Sequence, residues 1–207
     1  MIQNIVFDMG GVLITWSPHR IAARFDLCNG DMQLLHREVF GSVEWVCLDR
    51  GSLSEQEALQ RFRARLPEGL HPAAERCVFW WKEELWPIEG MEELIRELAD
   101  MGYGIYLLSN ATSALHEYFP RIPGSACFRG GIVSADWKLL KPQREIYEKL
   151  FSECGLNAAD CLFVDDSAAN VEGALRCGMD GVVFYGDTNR LRRDLRSRGV
   201  PVREGEA

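Results

Sequence analysis

Carboxylates and a serine occur in this sequence where strand-like segments end, and together with a lysine they could carry out phosphoryl transfer. They follow one another along the chain as Asp8, Ser109 with Asn110, Lys141, and Asp165 with Asp166. A carboxylate such as Asp8 can attack phosphorus and form an aspartyl-phosphate, which water then hydrolyses. A Mg²⁺ ion held by the three aspartates would remove the repulsion between carboxylate and phosphate. The side chains of Ser109 and Lys141, with backbone N–H groups near Asn110, would hold the phosphate oxygens.

Each of these residues also has an ordinary structural explanation. Asp8 stands just before two glycines and could be a turn residue, Ser109 with Asn110 could cap a helix, and Lys141 precedes a proline of the kind that often begins a helix. The adjacent carboxylates of Asp165 and Asp166 are harder to explain, because buried carboxylates are costly without a cationic partner. The combination, in this order, favours a functional site.

The elements that must position these residues are apolar strands alternating with amphipathic helices. The strand-like segments are 2–7, 104–108, 131–133, 161–164 and 181–185. Stretches with apolar residues at helical spacing, such as 91–98 and 146–151, lie between several of them. This alternation predicts an α/β fold with a parallel sheet covered on both faces. Ligands bind beyond the carboxyl ends of such strands, so we expect the polar residues to converge there.

Residues 17–86 interrupt the alternation, because they have helical patterning and almost no strand-like segment. We therefore predict a core domain of residues 1–16 and 87–207, with residues 17–86 inserted as a helical lid. If the lid moves, its closure would exclude water from the site, with hinges at 16–18 and 85–87.

Composition limits the classes of partner. The formal net charge of −8 over 207 residues disfavours nucleic acid binding, which normally requires a basic surface. No segment approaches the roughly 18 apolar residues of a membrane span, and no signal peptide is evident. Seven cysteines without Cys-x-x-Cys pairs indicate reduced thiols. We predict a cytoplasmic protein whose partner is a small phosphorylated metabolite, and we make no prediction of its oligomeric state.

Four ordered motifs resemble those of the haloacid dehalogenase superfamily and span almost the whole chain. They are Phe7-Asp8-Met9-Gly10-Gly11-Val12-Leu13, Leu107-Leu108-Ser109-Asn110, Lys141-Pro142 followed by Tyr147, and Phe163-Val164-Asp165-Asp166-Ser167 continuing to Asn170. The resemblance implies a Rossmann-like three-layer core with a helical cap of the kind found in subfamily IA. It also implies that Asp8 is the nucleophile, that the Gly10 carbonyl and Asp166 bind Mg²⁺, and that Asp165 binds it directly or through water.

Gly10 departs from the superfamily pattern, in which phosphatases usually carry a second Asp at this position as the acid and base. Loss of such a group costs on the order of 10² to 10⁴ in rate, so a replacement is needed or the activity is low. Asp49 or Glu44 of the lid, or a metal-bound water, could replace it. Bacterial phosphatases acting on glucose 1-phosphate are similar in carrying Gly here and resemble the chain at Asp49-Arg50-Gly51. That likeness suggests a sugar phosphate contacted by Arg50.

Three alternatives stay open. A haloacid dehalogenase would use Asp8 on carbon, but such enzymes lack the paired carboxylates found here at Asp165 and Asp166. A phosphomutase would pass the phosphoryl group to a sugar hydroxyl, which Gly10 disfavours. A catalytically weak protein that binds a phosphorylated metabolite would explain Gly10 directly.

Overall fold

A five-stranded parallel sheet forms the centre of the computed structural model, which describes residues 1–23, 25–83 and 85–204. Its strands lie in the order β3-β2-β1-β4-β5, and neighbouring strands pair in parallel. Their bounds are β1 Asn4–Phe7, β2 Gly104–Ser109, β3 Gly130–Val133, β4 Cys161–Asp165 and β5 Asp180–Val183. The predicted α/β fold with a parallel sheet is confirmed.

Helices cover both faces of this sheet. They are α6 Met91–Asp100, α7 Leu115–Tyr118, α8 Ser134–Trp137, α9 Arg144–Cys154, α10 Ala168–Arg176 and α11 Thr188–Ser197. Because side chains alternate along a strand, Ile5 and Phe7 of β1 join one apolar cluster and Val6 joins another. The first cluster includes residues of α6 and α11, and the second includes residues of α9 and α10. Two cores therefore enclose the sheet in a three-layer, Rossmann-like arrangement.

The described residues between β1 and α6 form five further α-helices, which we call the lid helices. They are α1 Pro18–Ala22, α2 Asn29–Leu35, α3 Val43–Asp49, α4 Glu55–Arg65 and α5 His71–Glu75, with π-helical turns at His36–Phe40 and Arg76–Trp80. They bury a third apolar cluster of their own, centred on Ile21, Phe62 and Cys77. This separate apolar cluster supports residues 17–86 as the proposed lid. Arg24 and Glu84 of that range, and residues 205–207 of the predicted core, lie outside the described residues.

The two segments that connect the lid helices to the sheet lie side by side. The Thr15 amide donates to the Trp86 carbonyl over 2.7 Å, and the Ile88 amide donates to the Leu13 carbonyl over 3.0 Å. The lid also contacts the core directly, because the Ser134 hydroxyl donates to the Asp49 carbonyl. The C-terminal end of α3 is therefore held against the carboxyl end of the sheet.

Among residues 1–23, 25–83 and 85–204, no helix has both the length and the hydrophobicity needed to cross a bilayer. All seven cysteines carry free thiols.

Candidate active site

Asp8 occupies the centre of the carboxyl edge of the sheet, because β1 lies between β2 and β4. The Asp8 amide donates to the Val164 carbonyl of the neighbouring strand over 2.9 Å. Oδ1 of Asp8 accepts a hydrogen bond from the Met9 amide over 2.7 Å and lies 2.8 Å from Nζ of Lys141. None of the described residues donates a hydrogen bond to Oδ2. One carboxylate oxygen is thus held in place while the other can react.

Lys141 is buried beneath Asp8 and is positioned by Asn110. The Lys141 amide donates to Oδ1 of Asn110 over 2.8 Å, and Nδ2 of Asn110 donates back to the Lys141 carbonyl over 3.1 Å. The Lys141 ammonium also donates to Oδ2 of Asp165 over 2.7 Å. Burial lowers the pKa of Lys141, but the charges of Asp8 and Asp165 outweigh this and raise it. Lys141 is therefore held as a cation.

Asp165, at the end of β4, is fully buried and engaged on both oxygens. Besides Lys141, it accepts hydrogen bonds from the Ser167 amide over 2.8 Å and from Nδ2 of Asn170 over 3.1 Å. The hydroxyl of Tyr147 donates to the Asn170 carbonyl over 2.6 Å. The third and fourth motifs are thus joined by one hydrogen-bonded network, in which Asp165 fixes the lysine.

Asp166 is partly exposed and faces the same space as Asp8. One carboxylate oxygen from each of Asp8, Asp165 and Asp166 lies within 4.8 Å of the others. Burial raises the pKa of Asp8, and the charge of Asp165 adds to this effect while Lys141 opposes it. The pKa of Asp166 is raised by the same causes. Three carboxylates with one ammonium leave excess negative charge, which a divalent cation that prefers oxygen ligands would balance.

A cavity of about 200 Å³ opens above these carboxylates, between the sheet edge and the lid helices. Its floor includes Asp8, Gly10, Asn110 and Asp166. Its walls are mainly apolar or aromatic and comprise Met9, Trp16, Trp45, Leu48, Val78, Ala111 and Tyr118. Asp49, Glu55 and Thr112 are the other described residues of the lining. The reactive carboxylate therefore faces a partly open space of small-molecule size.

Asp49 brings a carboxyl group from the lid into this cavity. Burial raises its pKa to about 8, with the negative charge of Asp8 adding to the effect and Lys141 opposing it. Glu44, on the same helix, is oriented differently, because Arg65 donates to both of its oxygens over 2.9 Å. The hydrogen bonds from Arg65 lower the pKa of Glu44 despite its burial. Of the two lid carboxylates considered from the sequence, Asp49 alone lines the cavity.

A family model described as haloacid dehalogenase-like hydrolase matches residues 2–178. The chain belongs to the haloacid dehalogenase-like hydrolases. The superfamily predicted from the four motifs is therefore confirmed.

The chain is also similar to proteins of known name and structure. The chain is 28% identical to a sesquiterpene phosphatase of Aspergillus oryzae over 86% of its own length and 87% of that protein. It is 26% identical to flavin mononucleotide hydrolase 1 of Arabidopsis thaliana over 76% of its own length, and spans 63% of that protein. A family enzyme of Bacteroides thetaiotaomicron, crystallised with magnesium and inorganic phosphate, superposes with a TM-score of 0.63 at 20% identity, covering 92% of this chain and 99% of that one.

In this hydrolase, most of the residues predicted from the sequence come together. Asp8, Gly10, Asn110 and Asp166 line the cavity. Ser109 and Asp165 are buried at the ends of β2 and β4, and Lys141 is buried in the segment between α8 and α9. Arg50 does not join the group: it follows the last turn of α3 and lies outside the set of described residues that line the cavity.

The sequence reasoning missed the apolar wall that α3 contributes. Trp45, Leu48 and Asp49 are spaced at i, i+3 and i+4, so they share one face of the helix and all line the cavity. This spacing was the available signal, although it is equally typical of a helix packed within the lid.

Proposed function

We propose that this hydrolase is a Mg²⁺-dependent phosphatase that cleaves a small phosphate monoester through an aspartyl-phosphate on Asp8. The observation that carries this proposal is the arrangement around Asp8. Its Oδ1 is held by Met9 and Lys141 while Oδ2 has no hydrogen bond from a described residue, and two further aspartates approach within 4.8 Å. This is the donor set of a carboxylate nucleophile that works beside a hard cation.

The residues present fit Mg²⁺. Asp8 and Asp166 would bind it directly with the Gly10 carbonyl, and Asp165 would bind it directly or through water. A β-carbon on Gly11 would lie 2.2 Å from Oδ2 of Asp166, so the adjacent glycine leaves the space that this carboxylate needs. When bound, the ion offsets the charge repulsion between Asp8 and the phosphate and polarises the phosphoryl oxygens.

In the first step, Oδ2 of Asp8 attacks phosphorus, and the bond from phosphorus to the leaving oxygen breaks. The Lys141 ammonium and the Ser109 hydroxyl stabilise charge on the phosphoryl oxygens, and Asn110 keeps Lys141 in position. In the second step, water attacks phosphorus, which releases inorganic phosphate and restores the Asp8 carboxylate.

We propose that Asp49 serves as the acid and base that Gly10 cannot provide. Its carboxyl group lines the same cavity as Asp8, and the contact of its carbonyl with Ser134 holds the end of α3 against the core. Protonated Asp49 would give its proton to the leaving oxygen, and the resulting carboxylate would take a proton from the attacking water. A pKa of about 8 suits this exchange near neutral pH.

The relatives support phosphate as the substrate group, since two of them are named for hydrolysis of phosphate esters. The paired carboxylates of Asp165 and Asp166 favour phosphate over halide chemistry. We also propose that the protein belongs to subfamily IA. Because its seven thiols are free, we propose a cytoplasmic location.

The test is phosphate release from a panel of small phosphate esters, with Mg²⁺ or with chelator, for the native chain and Asp8→Asn. Asp100→Asn, at the exposed end of α6, is the matched control. We expect turnover that needs Mg²⁺ and is lost in Asp8→Asn alone. Halide release from 2-chloropropionate that persists in chelator would favour the dehalogenase alternative. Ligand binding without turnover would favour a binding protein.

A further inference from the structure

The cavity above Asp8 points to the class of alcohol that the substrate carries. We propose that this site selects phosphate monoesters of small apolar alcohols, of about one ring in size, and discriminates against sugar phosphates. This inference rests on the proposed phosphatase function and names the substrate class of the same site.

The wall opposite the phosphate end is aromatic and aliphatic. The rings of Trp16 and Trp45 have centroids 5.7 Å apart, and Phe40 packs behind them with its centroid 4.8 Å from that of Trp45. Leu48 and Val78 continue the wall, and both are almost completely buried. Mutual ring contacts restrict the indoles, so this surface is preformed for an apolar group.

Near the phosphate end of the cavity the polar side chains are already committed, whereas those of Glu55 and Thr112, where the second cavity adjoins, have no hydrogen bond to another described residue. Asn110 exchanges two hydrogen bonds with the backbone of Lys141, and the Tyr118 hydroxyl donates to Sδ of Met9 over 3.4 Å. Asp8 and Asp166 face the phosphate end, and Asp49 is assigned to the leaving oxygen. Beside the indole and alkyl wall, the hydroxyls of a sugar would lose their hydrogen bonds to water. A buried polar group without a hydrogen-bond partner is unfavourable.

The volume also limits the alcohol. An apolar cavity of roughly 150 Å³ can hold a benzene molecule, and this one has about 200 Å³ for the phosphate and its alcohol. A second cavity shares Leu48, Glu55 and Thr112 with this one, and its lining includes the ion pair between Lys82 and Glu117. A longer apolar chain would meet these charges, so one ring is the size that the walls fit.

Two substrates of matched shape test this inference. Cyclohexylmethyl phosphate and glucose 6-phosphate are both esters of a primary alcohol on a six-membered ring, and they differ chiefly in ring hydroxyls. An apolar pocket discriminates against a single added hydroxyl by about 100-fold. Glucose 6-phosphate carries several, so we expect kcat/KM to be at least about 100-fold higher for cyclohexylmethyl phosphate. Equal or faster turnover of glucose 6-phosphate or glucose 1-phosphate would overturn the inference.

A variant pair shows whether the wall is responsible. Val78→Thr keeps the shape of the side chain and adds a hydroxyl to the cavity, so we expect the ratio between the two substrates to fall by about fivefold. Val39→Thr makes the same change in the apolar cluster of the lid, outside the cavity lining. That variant should leave the ratio unchanged, and an equal effect of both variants would contradict the assignment.

A binding measurement separates this inference from the phosphatase proposal. Calorimetry of Asp8→Asn with cyclohexylmethylphosphonate and with glucose 6-phosphate requires no turnover. Tighter binding of the phosphonate would support the substrate class even if no ester were hydrolysed. Hydrolysis of p-nitrophenyl phosphate that needs Asp8 and Mg²⁺, combined with tighter binding of glucose 6-phosphate, would retain the phosphatase and reject the apolar class.

Discussion

Gly11 and Asp166 are so close that a β-carbon on Gly11 would lie 2.2 Å from Oδ2 of Asp166. Gly11 also has a left-handed backbone, with φ +77°. The Asp166 side chain can therefore hold this position beside the turn after β1 because Gly11 carries no side chain. The position of the proposed metal carboxylate depends on this contact.

Gly11→Ala should displace Asp166 and weaken Mg²⁺ binding. We expect the apparent Mg²⁺ affinity to fall by about 10- to 100-fold, as it does when groups that orient metal ligands are lost. Titration of Mg²⁺ against phosphate release, and against the thermal unfolding midpoint, would measure the change.

Gly102→Ala is the control for backbone strain. Gly102 has φ +92° and a β-carbon there would have no heavy atom within 4 Å among its described neighbours. It should cost stability without changing the Mg²⁺ affinity. Equal affinity losses in the two variants would show that the contact with Asp166 is unimportant.

Lys141→Met should destabilise the fold strongly. The substitution leaves the buried carboxylates of Asp8 and Asp165 without their shared cation, which typically costs about 3–5 kcal/mol. Lys149→Met is the matched change on the surface, where Lys149 pairs with Glu153 within α9, and it should cost about 1 kcal/mol or less. Urea unfolding at pH 7.5 in chelator would measure both. Similar losses would mean that the buried pairs contribute little.

The edge of the sheet could be predicted from the sequence because its signals are local. Buried parallel strands such as β4 appear as short apolar runs, and the polar residues that follow them must meet at one edge. The family motifs add the assignment of roles. The contact between Gly11 and Asp166 is not local, since it depends on how two turns fit together in space.

The lid was less predictable, because the face that a lid helix turns toward the core is decided by packing. Glu44 and Asp49 are both acidic residues of α3, yet one pairs with Arg65 and the other enters the cavity. Trp45 and Leu48 would suit either the lid interior or a cavity wall. In the structure they do both, because they pack against the apolar cluster of the lid and also line the cavity.

Asp49→Asn should stabilise the metal-free protein at high pH. The pKa of Asp49 is raised from 3.8 to about 8 in the folded chain, so its stabilising contribution is complete below pH 4 and is lost as pH rises through 8. Asparagine stays neutral, and its advantage over aspartate should therefore grow between pH 5 and pH 9, reaching on the order of a few kcal/mol.

Thermal unfolding in chelator across this pH range would measure that advantage. Asp100→Asn, at the exposed end of α6, should show no such trend. A constant difference between Asp49→Asn and the native chain would show that Asp49 is not held in an unfavourable charged state.

The same substitution tests whether Asp49 is the acid. A p-nitrophenolate can leave without being protonated, whereas an alkoxide needs a proton from an acid. Asp49→Asn should therefore lower kcat/KM for cyclohexylmethyl phosphate by about 10² to 10⁴. It should affect kcat/KM for p-nitrophenyl phosphate far less. The ratio kcat/KM reports the step that forms the aspartyl-phosphate, which separates this role from later activation of water. Equal losses for both substrates would assign Asp49 to binding or structure.

Gly10→Asp should restore the alkyl phosphate activity of Asp49→Asn. A β-carbon at Gly10 would lie 3.6 Å from Cβ of Trp16, an ordinary contact, so the floor of the cavity has room for the first atom of the new side chain. The added carboxyl group would stand two residues after Asp8, where phosphatases of this family usually carry their acid. We expect the double variant to recover at least tenfold in kcat/KM for cyclohexylmethyl phosphate, a modest part of what a positioned acid contributes.

Gly10→Asn in the same background is the control, because it adds nearly the same volume but has no acidic proton to donate. Recovery by both variants would show that the site lacks side-chain volume and not an acid.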